Sequence, residues 1–227
     1  MKRRAILGNR KLQLFTKRFF PAGNYTWTVP PGCTEVDVFL VGAGAGGKYA
    51  GGGAGYTKTL KKDATGWRDG GAISVNPGEL INITVGKGGQ SGVAGGYSEF
   101  KNSSYRANGG GPSQPSSYPV SGGDGGSGGG AYGNDSTKNN RGVDGGNGKG
   151  STVTGHGASY GGVGQGHTTR AFGESNGELF ASGGYAVSGA YAESVVKNTG
   201  NGGNGDGLGG NAGADGIVLI RYWAYEE

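Results

Sequence analysis

Gly122-Gly123-Asp124-Gly125-Gly126-Ser127-Gly128-Gly129-Gly130 is the stretch on which the reading of this chain turns. Related runs follow at Gly145-Gly146-Asn147-Gly148-Lys149-Gly150 and at Gly200–Gly207, and between Asn108 and Gly216 Gly fills 36 of 109 positions. Such a region is either a flexible linker or a folded body. Flexible segments combine low hydrophobicity with high net charge, or run on as long low-complexity tracts. Here the charge is low, and the eleven residues after Gly216 are an apolar strand rather than a second domain for a linker to serve. The region is therefore expected to fold.

Collagen requires Gly at every third place with abundant Pro; seven Pro and no strict period exclude it. A polyproline-II backbone has three residues per turn, rises about 3.1 Å per residue and makes no internal hydrogen bonds, so its N–H and C=O groups point outward. Rods of this kind without side chains can approach closely and bond one another on several sides. The nine-residue run would span about 28 Å. Gly-Gly-X spacing places Asp124, Ser127, Asn147 and Asn204 on outward edges. Each ordered Gly loses more entropy than other residues, so the runs are expected to stand or fall together.

A conventional core has to come from the flanks, because 26 of the 37 Leu, Ile, Val and Phe residues lie outside 108–216. Tyr25–Val29 reads as an extended strand ended by Pro30-Pro31-Gly32. Glu35–Val41 alternates, with Val36, Val38 and Leu40 on one side and Glu35, Asp37 and Phe39 on the other. Tyr56–Leu60 alternates again. Ile73–Val75 and Leu80–Val85 flank Asn76-Pro77-Gly78-Glu79 as an expected hairpin, with short strands at Tyr97–Phe100 and Tyr105–Ala107. Ile217–Tyr222 is the most apolar strand and is placed centrally, beside Glu35–Val41. The expected fold is all-β: an antiparallel β-sandwich or roll base (19–107 plus 217–225) carrying an inserted bundle of polyglycine-II helices over 108–216, all within one domain, 19–227.

Residues 1–18 form a basic arm in this reading. Lys2, Arg3, Arg4, Arg10, Lys11, Lys17 and Arg18 face no acid within it, and the remainder carries 14 bases against 16 acids. A near-neutral body argues against an extended nucleic-acid groove. Asn9, Arg10 and Lys11 interrupt the apolar stretch a signal peptide needs, and no apolar run is long enough to insert in a membrane. Cys33 is the only cysteine, which rules out a disulfide framework within the chain. Synthesis in a cytoplasm without secretion is expected.

Catalytic and metal motifs are weak. Gly42-Ala43-Gly44-Ala45-Gly46-Gly47 satisfies the dinucleotide-binding pattern, with Asp63 at a fitting distance, but Gly51-Gly52-Gly53-Ala54-Gly55 follows where a helix must start. Gly202–Asp206 and Gly213–Asp215 are off-register for calcium-binding nonapeptides. His156 and His167 have no partners at zinc spacing. No catalytic residue, cofactor or metal is assigned.

The segments between the Gly runs hold Tyr, Ser, Asn, Thr and single charges. That is the composition of recognition loops, in which Tyr gives rigid amphipathic contact and Ser or Asn gives adaptable hydrogen bonds. The candidate contact residues are Tyr118, Tyr132, Asp135, Asn139 and Arg141, with His167, Arg170 and Phe172 on a further loop. The competing reading has the tyrosines padding the Gly slab.

Thr26–Gly47, the Val75-Asn76-Pro77-Gly78 turn and Asp215–Tyr222 together resemble the glycine-rich domain recurrent in bacteriophage tail and fibre proteins. The middle is similar in style to the tail-fibre-tip adhesins of T-even-like phages, in which polyglycine-II runs form a slab and the loops between them touch the host receptor. The resemblance implies a virion component with other virion proteins and a host surface protein or glycan as partners. It leaves two expectations open: an adhesin acting through its loops, or a structural spacer docked by the basic arm.

Overall fold

The computed structural model describes residues 11–113, 122–130, 169–186, 197, 199–205 and 210–226. Nine strands lie among them: β1 (Leu12–Phe19), β2 (Gly23–Thr28), β3 (Glu35–Val41), β4 (Thr57–Leu60), β5 (Ile73–Ser74), β6 (Leu80–Val85), β7 (Ser98–Phe100), β8 (Arg106–Ala107) and β9 (Ile217–Tyr225). All named strand pairs are antiparallel, and no α-helix occurs among the described residues. One sheet runs β1-β9-β3-β4 with β5 also on β3; the other runs β2-β6-β7-β8.

The apolar C-terminal strand takes the centre of the first sheet. It pairs with β3 from Val36↔Tyr222 to Val41↔Ile217 and with β1 from Leu12↔Tyr225 to Phe19↔Val218. Period-two alternation sends Val36, Val38, Leu40, Val218 and Ile220 into the space between the sheets, where they meet Trp27, Ile81, Ile83, Val85 and Phe100. Burying each large apolar side chain is worth roughly 1.5–3 kcal/mol, so this cluster is the main apolar support of the sandwich.

Three expectations change. Phe39, expected on the same side as Glu35 and Asp37, is fully buried, because the segment around Phe172 and Phe180 covers that face and builds a second core with Val41, Ile217 and Leu219. The turn at Asn76–Glu79 closes as read, with the Glu79 N–H donating to the Asn76 carbonyl at 2.9 Å. Its flanks do not form a hairpin: β5 joins β3 in one sheet and β6 joins β2 in the other, so the turn links the layers. Finally, the C-terminal half of the expected basic arm is β1, paired with β9 along its whole length. Lys17 and Arg18 are strand residues with exposed side chains, and Lys11 directly precedes the strand. Lys2, Arg3, Arg4 and Arg10 lie outside the described residues.

Candidate functional site

Beyond the ends of β3 and β4, the chain makes an out-and-back excursion from Gly42 to Tyr56. None of it is strand, but its backbone donors follow a strict order. Gly42, Ala43 and Gly44 donate to the carbonyls of Tyr56, Gly96 and Ala214; Ala45, Gly46 and Gly47 donate to Gly53, Val93 and Asn211, all at 2.9–3.0 Å. Every third residue thus addresses the same neighbouring segment, three residues further back along it. The return limb repeats the rule. Gly51, Gly52 and Gly53 donate to Gly130, Gly203 and Gly111, and Ala54, Gly55 and Tyr56 donate to Ser127, Gly200 and Asn108, at 2.8–3.0 Å.

A period of three is that of the polyproline-II backbone; an α-helix bonds within itself and a strand alternates between two neighbours. Each six-residue limb would reach roughly 19 Å at that rise. The limbs lie in the part of the chain expected to be β base, so the glycine lattice begins in the N-terminal half. The expected insertion over 108–216 falls partly outside the described residues; its described portions, 122–130 and 199–205 among them, supply neighbours to these limbs.

Contact distances explain the composition. A Cβ on Gly44 would collide with the Asn201 carbonyl, and one on Gly55 with the Gly42 carbonyl, both backbone atoms that side-chain motion cannot clear. Ala43, Ala45, Ala50 and Ala54 mark places where one methyl fits, all fully buried. Side chains also enter the lattice. Asn201 Oδ1 accepts from the Ser182 N–H and Asn204 Oδ1 from the Tyr185 N–H, both at 2.9 Å. Ser127 Oγ donates to the Ala181 carbonyl. Ser127 and Asn204, expected to face outward, are therefore buried structural donors and acceptors, whereas Asp124 is exposed as read. Asn147 lies outside the described residues.

The far end of this lattice is the Lys48–Ala50 turn, closed by the Lys48 N–H on the Ala50 carbonyl at 3.1 Å. Described residues that border the remaining segments converge on it. The Lys48 N–H donates to Ser113 Oγ at 3.2 Å. Gly51 donates to Gly130, Gly205 packs against Ala50 and bridges to Ala186, and Gly210 packs against Gly47 and Lys48. Gly122 abuts Gly129 and Gly130. Thr169 and Thr199 instead stand nearer the sheets: the Phe180 N–H donates to the Thr169 carbonyl and the Ala181 N–H to the Thr199 carbonyl.

Of the candidate contact residues, Tyr118, Tyr132, Asp135, Asn139, Arg141 and His167 lie outside the described residues. Arg170 and Phe172 are placed, and both serve the fold. Arg170 Nη1 donates to the Gly177 carbonyl at 2.8 Å, closing the 170–177 turn. Phe172 is buried, with ring centroids 6.2 Å from Phe39, because the apolar outer face of β3 needs a cover. The residue missed in the sequence is Arg221, whose guanidinium binds Glu174 at 2.6 Å and Asp37 at 3.5 Å. Its alternation with Ile220 and Tyr222 and its register opposite Asp37 were the available signals.

The dinucleotide-like run also has a local explanation. All six N–H groups from Gly42 to Gly47 are bound to lattice carbonyls, where a pyrophosphate cradle needs them directed at the ligand. Asp215 accepts from the Gly88 N–H at 2.8 Å and from the Ala22 N–H at 3.4 Å, tying the lattice to the loop after β1. Among the described residues no cluster of three metal-ligating side chains occurs.

The architecture defines an all-β protein with an apolar sandwich at one end and a backbone-bonded glycine lattice at the other. The chain belongs to the family described as the glycine-rich domain, whose sequence pattern matches residues 20–223. Comparison with characterised proteins finds no match.

Proposed function

We propose that this protein is a glycine-rich component of a bacteriophage virion, associated with the tail or fibre, that adheres to the host surface through the segments between its Gly runs. The observation that carries this reading is the convergence of Ser113, Gly122, Gly130, Ala186, Gly205 and Gly210 on the Lys48–Gly51 turn, at the end of the lattice furthest from the sandwich. That turn is held by backbone hydrogen bonds, and a rigid base of this kind lowers the entropy lost when loops attached to it bind. The resemblance of Thr26–Gly47 and Asp215–Tyr222 to phage tail proteins supplies the virion context.

The test is adhesion of the purified, labelled protein to host cells. Replacing 114–121 and 132–141 with Gly-Ser chains of equal length is expected to abolish adhesion while leaving the thermal midpoint within a few degrees. Unchanged adhesion would refute the reading. The basic, exposed β1 favours a second reading, a structural spacer; under it, loss of residues 1–10 blocks virion incorporation while the loop replacements assemble and infect normally.

A further inference from the structure

Strand β1 closes one side of the first sheet, and its second edge carries no backbone hydrogen bond among the described residues. It is the longest such edge, with eight residues against six in β2, four in β4 and two in β8. An unpaired edge of eight residues is a template for a further strand. Two other features make this edge selective.

The first is apolar surface on both faces. Leu12, Leu14 and Trp223 stand about half exposed on the outer face, Leu14 and Trp223 being direct cross-strand partners. On the inner face, a groove of about 350 Å³ opens between β1 and the end of β2, its lining including Phe15, Lys17, Thr28, Tyr222 and Tyr225, with the Glu226 carboxylate at one side. Phe15 and Tyr222 stack along it with ring centroids 5.7 Å apart. A strand laid on β1 would send alternate side chains into this groove and onto Leu12 and Leu14.

The second is charge. Lys11 and Lys17 are exposed and residues 11–19 contain no acid, whereas Arg18 is already paired with Glu178 at 2.8 Å and Gln13 holds Glu226 at 2.8 Å, so the two lysines carry the selectivity. Lysine on an edge opposes pairing between two identical edges, so a second copy is disfavoured and a segment bearing carboxylates is favoured.

We propose that β1 is a docking edge onto which an extended segment of a partner protein, alternating apolar and acidic residues, adds as a strand. Main-chain hydrogen bonds supply affinity, while the groove and the lysines select the side chains. The inference rests on the reading of this domain as one mounted on a larger assembly, but it concerns the attachment end and not the loops.

The probe is a fluorescein-labelled ten-residue peptide alternating valine and glutamate, titrated against the full chain at low ionic strength. Two controls are a valine–lysine peptide and the acidic peptide with its central amides N-methylated, which removes the strand-forming donors. Saturable binding by the acidic peptide, amide shifts confined to residues 12–19 and their neighbours, and at least tenfold weakening by Lys11→Glu with Lys17→Glu are expected. Both positions are exposed, so the doubly substituted chain is expected to melt as the parent does. No saturable binding, equal binding by the valine–lysine peptide, no effect of N-methylation, or shifts away from β1 would overturn the proposal. Dimerisation of the chain through β1 in sedimentation would overturn it too, assigning the edge to a second copy. Peptide binding reads the edge and cell adhesion reads the loops, so either reading can fail without the other.

Discussion

The guanidinium of Arg221 stands 4.4 Å from the centroid of the Phe172 ring, over its face. Phe172 holds a left-handed backbone, φ 53°, which costs a non-Gly residue on the order of 1 kcal/mol. Packing against Phe39 and under Arg221 fixes it there, while Glu174 and Asp37 hold the guanidinium from the sides. Phe172→Ala is expected to lower unfolding stability by about 3–4 kcal/mol, and Arg221→Met by about 1–2 kcal/mol. In a double-mutant cycle by urea denaturation the two should fall short of additivity by at least about 0.5 kcal/mol. Full additivity would show that the stacked contact carries no energy.

Gly44→Ala and Gly71→Ala form a second, paired prediction. The first places a methyl against the Asn201 backbone, and the second meets open space. Gly44→Ala should cost at least about 2–3 kcal/mol, with amide-exchange protection falling across Gly42–Tyr56 as a unit. Gly71→Ala should be neutral or stabilising by about 0.4–1 kcal/mol. Similar effects at both sites would mean that the lattice accommodates a side chain.

Ser98 joins the sandwich to the lattice. Its buried hydroxyl donates to the Val41 carbonyl at 2.7 Å and accepts from the Gly86 N–H at 3.1 Å. Ser98→Ala withdraws a partner from both and is expected to cost about 1–3 kcal/mol. Ser98→Thr should not restore full stability, since Ser98 is fully buried and an added methyl has to displace packed neighbours. Chemical denaturation of the two variants checks this.

Cys33 supplies a pH signature. Burial, reinforced by the Glu35 carboxylate, pushes its thiol from 9.0 to about 11. The unfolded chain therefore releases this proton at lower pH than the folded one, so the thiol's contribution is whole below about pH 9 and falls as pH rises toward 11. The loss amounts to about 3 kcal/mol across that window. Cys33→Ala should flatten the wild-type decline by that amount, and native Cys33 should resist iodoacetamide at pH 8. Rapid alkylation of the folded protein would contradict the burial.

The strands were legible because their side chains carry the period. Val36, Val38 and Leu40, or Ile217 to Ile220, announce what they bury. The lattice carries its period in N–H and C=O groups, which every residue has, so Gly42–Tyr56 looks like a nucleotide loop or like nothing. Only the partners of successive donors disclose the three-fold order. Phe172 was misread for a related reason. It sits among Thr, Arg, Gly, Glu and Ser with no alternation to give it a face, and a lone aromatic in polar company reads as a contact residue. Its better signal was scarcity: Phe172 and Phe180 are the two Phe residues between 108 and 216, in a region with little else to bury. The inward turn of Ser127 and Asn204 was beyond pattern reading, since Gly-Gly-X spacing is the same for either direction.

Because each limb of the lattice hands its donors to three neighbours in rotation, its length is quantised. Adding or removing one or two residues inside Gly42–Gly47 would turn every later amide toward the wrong neighbour, whereas a glycine triplet restores the original phase. Insertions at the Lys48–Ala50 bend escape this arithmetic, so drift in segment length has room to accumulate at the tip while the shaft changes only in steps of one full turn.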